Sequence, residues 1–553
     1  MATPTIAKVI SVSEPESLPQ NSHVEPSPDT KDIIDIEHVP VNDDPRQWSY
    51  ARKTVTLCIV SLATMVSSSA ANIQNPSNIL IRTDLHATNN QISWTLAAFI
   101  LVQGNFPLIW SAVAEITGRK VIYLLSSGLF VVGSAVLALS KTIEVMIAMR
   151  TIQAAGSSAF LAISAATLAD IYDTHERGTM MGVFYAAPLL GPALSPMIGG
   201  LLSQAFNWRA IFYFLLICGV IIFLFFLILF KDTYRCERSL TYCSALQRRS
   251  ASREPVRHPS QSTIAESEFS KNQTHDKDLE KQFQLPVVPE KIPAATPTPE
   301  PDNIRLSIRD INPFPPYFQI LSRKNNAGFP FYISLTTSLG LVFGFNYCLS
   351  YTCERTLANT YGYDALSVGL VLICLGIGSV AGSIIGGRWS DRVVGKMIKE
   401  NGGQWYAEMR LESSKLTMLW IPLSLIGYGW ACDKHLNVAV ICVMLVLVGF
   451  TTIWMYASTL AYLVDANPGR SAAAVATNSS FRGSLAFLSV LIAAPLQDAW
   501  GDGILFTAWA CILAAAELLV IIVVHKGESW RKVQNNPNPN PEDGENERKM
   551  PSK

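Results

Sequence analysis

Two long blocks of this chain, residues about 54–230 and about 329–525, are nearly free of charge, and no other feature limits its fold so tightly. Apolar runs of about twenty residues recur through both blocks, the length a helix needs to cross a bilayer core of about 30 Å. Backbone inside lipid must satisfy its own hydrogen bonds, so such runs are helices. Six are expected near 54–74, 92–113, 121–140, 145–169, 179–203 and 208–230. Six more are expected near 329–351, 365–387, 415–432, 437–463, 471–495 and 503–525. Hydrophobic residues make up 49% of the chain and charged residues only 16%, against about a quarter charged in soluble proteins. The expected fold is all-α and integral to the membrane, with twelve transmembrane helices in two six-helix bundles.

Polar segments separate these blocks. Residues 1–49 are rich in Pro, Ser and acids and read as a disordered tail. The first bundle spans 50–230, a polar linker 231–328, the second bundle 329–526 and a polar tail 527–553. Within the linker, Ile304–Asp310 and Tyr317–Leu321 have amphipathic character suited to a membrane surface. With the amino terminus inside, the short inner loops carry ten basic residues, among them Arg119, Lys120, Arg388, Arg392 and Arg470. The outer loops carry five: Arg82, Lys141, Arg209, Arg355 and Lys434. That bias places both termini and the linker in the cytoplasm. The amino terminus has no basic region followed by an apolar core, so the first span is expected to serve as insertion signal.

Formal net charge is zero, which gives no bulk electrostatic case for nucleic acid. The ten cysteines are scattered without a CxxC pair, so neither a disulfide framework nor a metal site is expected. No GxxxxGK[ST] loop supports an ATP-driven pump. The eight histidines are dispersed and no Asp-rich pair faces an opening, which argues against a membrane enzyme. No cofactor is expected.

A short motif recurs between the blocks. Ser111–Lys120 and Gly387–Lys396 each begin where an apolar run ends, set a small residue four positions before an acid, and close on Gly and a basic residue. The acids, Glu115 and Asp391, stand half the chain apart, as in a transporter of two parallel repeats. A carboxylate is attracted to a helix amino terminus and a basic residue one turn on can pair with a second acid. Glu115 and Asp391 are thus expected to clamp helix ends across the bundle interface. Arg119 and Lys120, with Arg392 in the second copy, are available to acids such as Asp170.

In the fifth run, Pro188, Pro192 and Pro196 lie on one helical stripe beside Gly191, Ser195 and Gly199, followed by Gly200. Prolines free carbonyls and bend a helix; small residues let another backbone approach. Such a helix suits a seam between moving halves. Charges inside the bilayer are functional candidates by default. Arg150 lies in the fourth span, Arg482 one turn after Asn478 in the eleventh, and Glu517 in the twelfth, where it is a candidate proton carrier. Asn72, Gln103, Asn105, Tyr185, Asn346, Tyr347, Trp454 and Tyr456 are candidate cavity residues, with Trp94 and Trp208 read as interfacial anchors.

The chain resembles major facilitator superfamily transporters, in particular the twelve-span fungal drug:proton antiporters of the quinidine-resistance type. The resemblance rests on Glu115, Gly118, Arg119 and Lys120, on Arg150-Thr-Ile-Gln153-Ala-Ala-Gly156, and on Pro188-Leu-Leu-Gly191-Pro192 running to Gly199-Gly200. Ser111, Ala154 and Ser195 depart from the usual pattern. The resemblance implies that Arg150 and Gln153 take part in proton coupling or substrate contact, and that the chain works as a monomeric multi-pass antiporter of the plasma membrane. Its partners would be protons, the lipid bilayer and a small organic substrate, a drug or a secondary metabolite, exported by alternating access. An importer or facilitator with the same fold is the alternative.

Overall fold

A computed structural model describes residues 41, 43–172, 174–235, 328–403, 406, 408–465 and 471–535. The amphipathic stretches of the linker lie outside these residues. The amino-terminal half opens with α1 (Tyr50–Asn72), which breaks at a 3₁₀ turn (Asn75–Ser77) and resumes as α2 (Asn78–Asp84). A capping box of Thr88 and Gln91 starts α3 (Asn89–Asn105). Pro107 at the first position of α4 (Pro107–Thr117) turns the chain by 40° from α3, so the two form one bent span. Next come α5 (Arg119–Ala138), α6 (Ile143–Ile171), α7 (Thr174–Ala205) and α8 (Arg209–Ile228).

The carboxy-terminal half holds α9 (Gly328–Asn359), α10 (Ala365–Glu400), the short α11 (Met409–Glu412), α12 (Lys415–Asp433), α13 (Val438–Asp465) and α14 (Ser471–Asn535). Gly501, at φ 71°, breaks α14 into two limbs. By length and composition, eight helices among the described residues can cross a membrane, nine with α3 and α4 joined. Counting the two limbs of α14 separately, and adding α9 with 32 residues and α12 with 19, completes the twelve spans.

Three expectations about extent change. The seventh span was expected to end near 351, but α9 runs to Asn359 and stops before Gly362, at φ 67°. Glu354 and Arg355 are therefore buried helix residues rather than loop residues. The eighth span was expected to end near 387, but α10 runs to Glu400 and carries the whole second motif inside a helix. The two copies differ because Gly118 adopts φ 86° and splits α4 from α5, whereas Gly395 stays helical with open space around its Cα. The helical end of α14 likewise extends beyond 526, to Asn535.

Large apolar side chains point outward along several helices, among them Ile217 and Ile228 on α8 and Leu419 and Trp420 on α12. A soluble protein would bury such a belt; here lipid covers it. Inside, the first half packs a cluster of rings in which Tyr123 stacks on Phe226 at 4.1 Å. In the second half Phe345 lies edge-on to Trp509 at 5.8 Å.

The halves meet at the end of the bundle opposite Tyr50, called here the far end. There α7 lies on α10, and α3 lies on the first limb of α14. The inner limb of the bent span, α4, packs instead on α3, α5 and α6 of its own half.

Candidate functional site

Close approach of backbones builds the seam. A Cβ on Gly104 of α3 would come within 2.5 Å of Gly483 Cα on α14, so these helices touch main chain to main chain. On α7, Gly191 faces Met65 and Gly199 faces Ile73, both of the first helix and its break. Gly200 faces Ala365, while Ala193 and Pro196 face Gly376 and Gly369 of α10. The fifth-span stripe thus wedges between its own half and the other one. Pro192 and Pro188, one and two turns before Pro196, are half-buried on the same helix.

Polar groups complete the far-end closure. Ser93 donates to Tyr351 Oη at 2.8 Å, Gln204 to Asp364 at 2.5 Å and Asn78 to Glu354 Oε2 at 3.4 Å, each across the halves. Nearer mid-height, Asn105 donates to Ser484 at 3.4 Å and accepts from Ser480. Trp94 packs edge-on to Phe487 at 5.6 Å, so it joins the seam while remaining partly exposed. Trp208, read from sequence as an interfacial anchor, is instead buried and donates from Nε1 to Asp84 at 3.0 Å.

Two guanidiniums stand inside the spans, one in each half. Arg150 on α6 is fully buried. It donates to Ala70 O at 2.9 Å, to Gln153 Oε1 at 2.9 Å and to Ala71 O at 3.5 Å, with its guanidinium 4.4 Å from the Phe99 ring. Gln153 passes the network on by donating to Ser134 at 2.8 Å. The carbonyls of Ala70 and Ala71 belong to the end of α1, so Arg150 ties α6 to the point where the first span breaks. Arg482 on α14 is half-buried, donates to Tyr456 Oη and lies 4.3 Å from the Phe343 ring. Tyr347 on α9 packs edge-on to that Phe343 ring at 4.9 Å. Among the described residues neither arginine forms an ion pair with a carboxylate.

The other intramembrane candidates lie apart from this pair. Asn478 is buried, with its Oδ1 unpartnered, one turn before Arg482. Glu517, in the second limb of α14, is buried with Oε1 unpartnered. Sequence reasoning missed Glu354, equally buried and also with an unpartnered Oε1, because its helix was expected to stop three residues earlier.

At the near end the motif residues bond within their own halves. Arg119 Nε pairs with Asp170 Oδ2 at 3.4 Å, and Lys120 Nζ donates to Leu227 O at 3.1 Å. The helix-end carboxylate is a residue no motif pointed to: Asp232 Oδ1 accepts from Arg119 N at 3.1 Å and from Tyr234 N at 3.0 Å, capping α5. Tyr234 Oη donates to Glu115 O at 2.7 Å, closing this knot from the first residues of the linker. Lys231 and Arg235 there pair with Asp43 at 2.5 and 3.1 Å, and the Lys231 contact holds the Asp43 carboxyl below its ordinary value. In the second half Asp391, exposed, pairs with Arg410 at 3.6 Å, and Arg392 is exposed on the same helix. Arg119–Asp170 and Asp391–Arg410 each join elements of one half.

Two helical bundles packed along a seam of small residues, with buried charges inside the spans, are the build of a membrane transporter. The chain belongs to the Major Facilitator Superfamily, whose sequence profile it matches over residues 60–402. It is 26% identical to the MFS antiporter QDR3 of Candida albicans, over 90% of this chain and 81% of that one. It is 24% identical to citrate exporter 1 of Aspergillus niger, over 94% and 95% of the two chains. Among solved structures it superposes on a D-xylose-proton symporter with TM-score 0.59 at 12% identity, covering 85% of this chain and 97% of the other. It is a transporter and not an enzyme.

Proposed function

We propose that this protein is a proton-coupled exporter of a small organic compound carrying an anionic group. The observation that carries the reading is the pair Arg150 and Arg482, held inside the spans of opposite halves without a carboxylate partner among the described residues. Burying an uncompensated cation is costly. An anion between the halves lowers that cost, and it does so most when both guanidiniums reach it. Phe343 and Tyr456 beside Arg482, and Phe99 beside Arg150, suit the organic body of such a solute. A relative named for citrate export and another named as an antiporter agree with this direction and class.

In this reading the near end faces the cytoplasm and the far end faces outward, at the plasma membrane. The far-end seam is closed, as an exporter loading from the inside requires. A membrane potential supplies about 2.3 kcal/mol per charge per 100 mV to the inward movement of protons.

The test is efflux of labelled citrate and of a panel of neutral and cationic drugs from cells expressing the full chain, with and without a protonophore. Protonophore-sensitive loss of the anion, abolished by Arg150→Ala and by Arg482→Ala, is the expected result. Loss of cations alone would remove the anionic reading. Net accumulation, or transport indifferent to the protonophore, would replace antiport with an importer or facilitator.

A further inference from the structure

The far-end closure contains a carboxyl group that neither the motifs nor the reading above uses. Glu354 sits on α9, 1% exposed, at the line where α9 meets α2. Its Oε2 accepts from Asn78 of the opposite half at 3.4 Å, and its Oε1 has no partner. Beside it a small cleft of about 20 Å³, lined by Asn78, Arg82, Asn89, Tyr351 and Arg355, has room for about one water.

The basic groups nearest Glu354 are engaged by other partners. On α9, Arg355 is committed to Gln497 Oε1 at 2.8 Å and Asp498 Oδ1 at 2.7 Å on α14. On α2, Arg82 donates to Asn89 Oδ1 of α3 at 2.6 Å. Asp502 of α14 is held by Thr356 at 2.6 Å, and Tyr351 Oη is held by Ser93. Neither guanidinium forms an ion pair with Glu354 among the described residues.

The polar chain leading away from Glu354 is itself short of donors. Asn78 Oδ1 accepts from Gln74 Nε2 at 3.0 Å, and the same nitrogen donates to Thr95 at 2.9 Å. Buried acceptors remain unpartnered at Asn72 Oδ1, Gln74 Oε1 and Glu354 Oε1, against unpartnered donors at Asn75 Nδ2 and at Arg150 Nε, whose guanidinium bonds Ala70 and Ala71. An ionised Glu354 adds a further acceptor and a desolvated charge to this cluster. A protonated Glu354 turns one orphan acceptor into a donor.

We propose that Glu354 is a proton-binding gate residue: the far-end seam closes over the neutral acid and opens onto the carboxylate. Protonation from the far-side solution then drives the molecule toward the form described here. The proposal rests on the alternating-access part of the reading above, and is independent of which solute moves and of whether Glu354 itself carries the coupled proton. For a single linked proton, the closed-to-open ratio changes by up to about tenfold per pH unit between the proton affinities of the two forms.

The experiment measures spin-label distances in the full chain, with labels at Leu80→Cys on α2 and Asn359→Cys on α9. The accessible native cysteines are replaced by serine. The wild type is expected to gain its short-distance population as pH falls from 8 to 5. Glu354→Gln should hold the short distance at both pH values. Asn78→Asp, which removes a donor and adds a like charge, should move the midpoint to higher pH. A wild type indifferent to pH overturns the proposal, as does a Glu354→Gln variant that keeps the wild-type response or an Asn78→Asp midpoint that does not rise. A pH-responsive seam together with protonophore-indifferent efflux keeps the gate and removes antiport; the opposite pair of results removes only the gate.

Discussion

Gly369→Ala should open the far-end seam. A Cβ there meets the Pro196 carbonyl and comes within 2.9 Å of its carbon and 3.1 Å of Met197 Cα, all main-chain atoms of α7. Ordinary separations are about 3.5–4.0 Å, so α7 and α10 must part by roughly half to one ångström. Main chain on both sides cannot rotate away, and overpacking of this kind costs about 1–3 kcal/mol. The cost falls on the closed form, because opening the seam separates these helices. At about 1.4 kcal/mol per factor of ten, the closed-to-open ratio should drop roughly 5- to 150-fold. The assay is alkylation of Met197→Cys by a membrane-impermeant maleimide added outside, whose rate follows the open population. Gly387→Ala on the same helix is the control, since nothing lies within 4 Å of its added Cβ. It should leave the rate unchanged and add a little helix stability. Equal alkylation rates in Gly369→Ala and Gly387→Ala would refute the packing argument.

Asp232→Ala should lower stability by about 1 kcal/mol through loss of the α5 cap, and Asp232→Asn by less, read by thermal unfolding of the detergent-solubilised protein. Gly118→Ala should lower it as well, because φ 86° at the adjoining residue strains any side chain. Asp364→Ala removes the cap of α10 and a bond from Gln204, with a similar cost near neutral pH. Bonding from Ser367 lowers the Asp364 carboxyl below its ordinary 3.8, so its contribution is present above that value and disappears as pH falls through the lower folded one. Wild type and Asp364→Ala should therefore converge in stability under strong acid; a gap that widens there would contradict the assignment.

Much of the architecture was legible because lipid imposes it. Twelve apolar runs had to be twelve helices, and Gly191, Pro196, Gly199 and Gly200 marked a helix that must be approached closely. Helix ends were less legible, since hydropathy reports where lipid stops and not where the helix does. The run Cys353-Glu354-Arg355-Thr356 reads as a loop by polarity, yet no breaker stands before Gly362 and α9 continues through it. The available signal was the missing turn residue. Asp232 was hidden for another reason: it lies in the first residues of a polar linker, and only the return of the chain from α8 brings it to the amino terminus of α5. Equivalent motif copies also need not share a conformation, as the helical path through Gly387–Lys396 shows.

The distribution of interactions explains how such a molecule can move without coming apart. Arg119–Asp170, Arg209–Asp84 at 2.8 Å, Arg355–Asp498 and Asp391–Arg410 each join helices or turns of one half. Among the described residues the seam is made of touching glycines, facing carbonyls and hydrogen bonds short of ion pairs, such as Ser93–Tyr351 and Gln204–Asp364. In lipid, helix association gains little from the hydrophobic effect and depends on close packing and polar contacts. Close packing of this kind is lost steeply with distance, so a small separation releases most of it. Each half therefore stays rigid while the interface between them can exchange one closure for another at modest cost. An ionisable group buried in that weak interface acts on a narrow energy difference, whereas the same group within either half would act against a whole bundle. Glu354 stands in the interface.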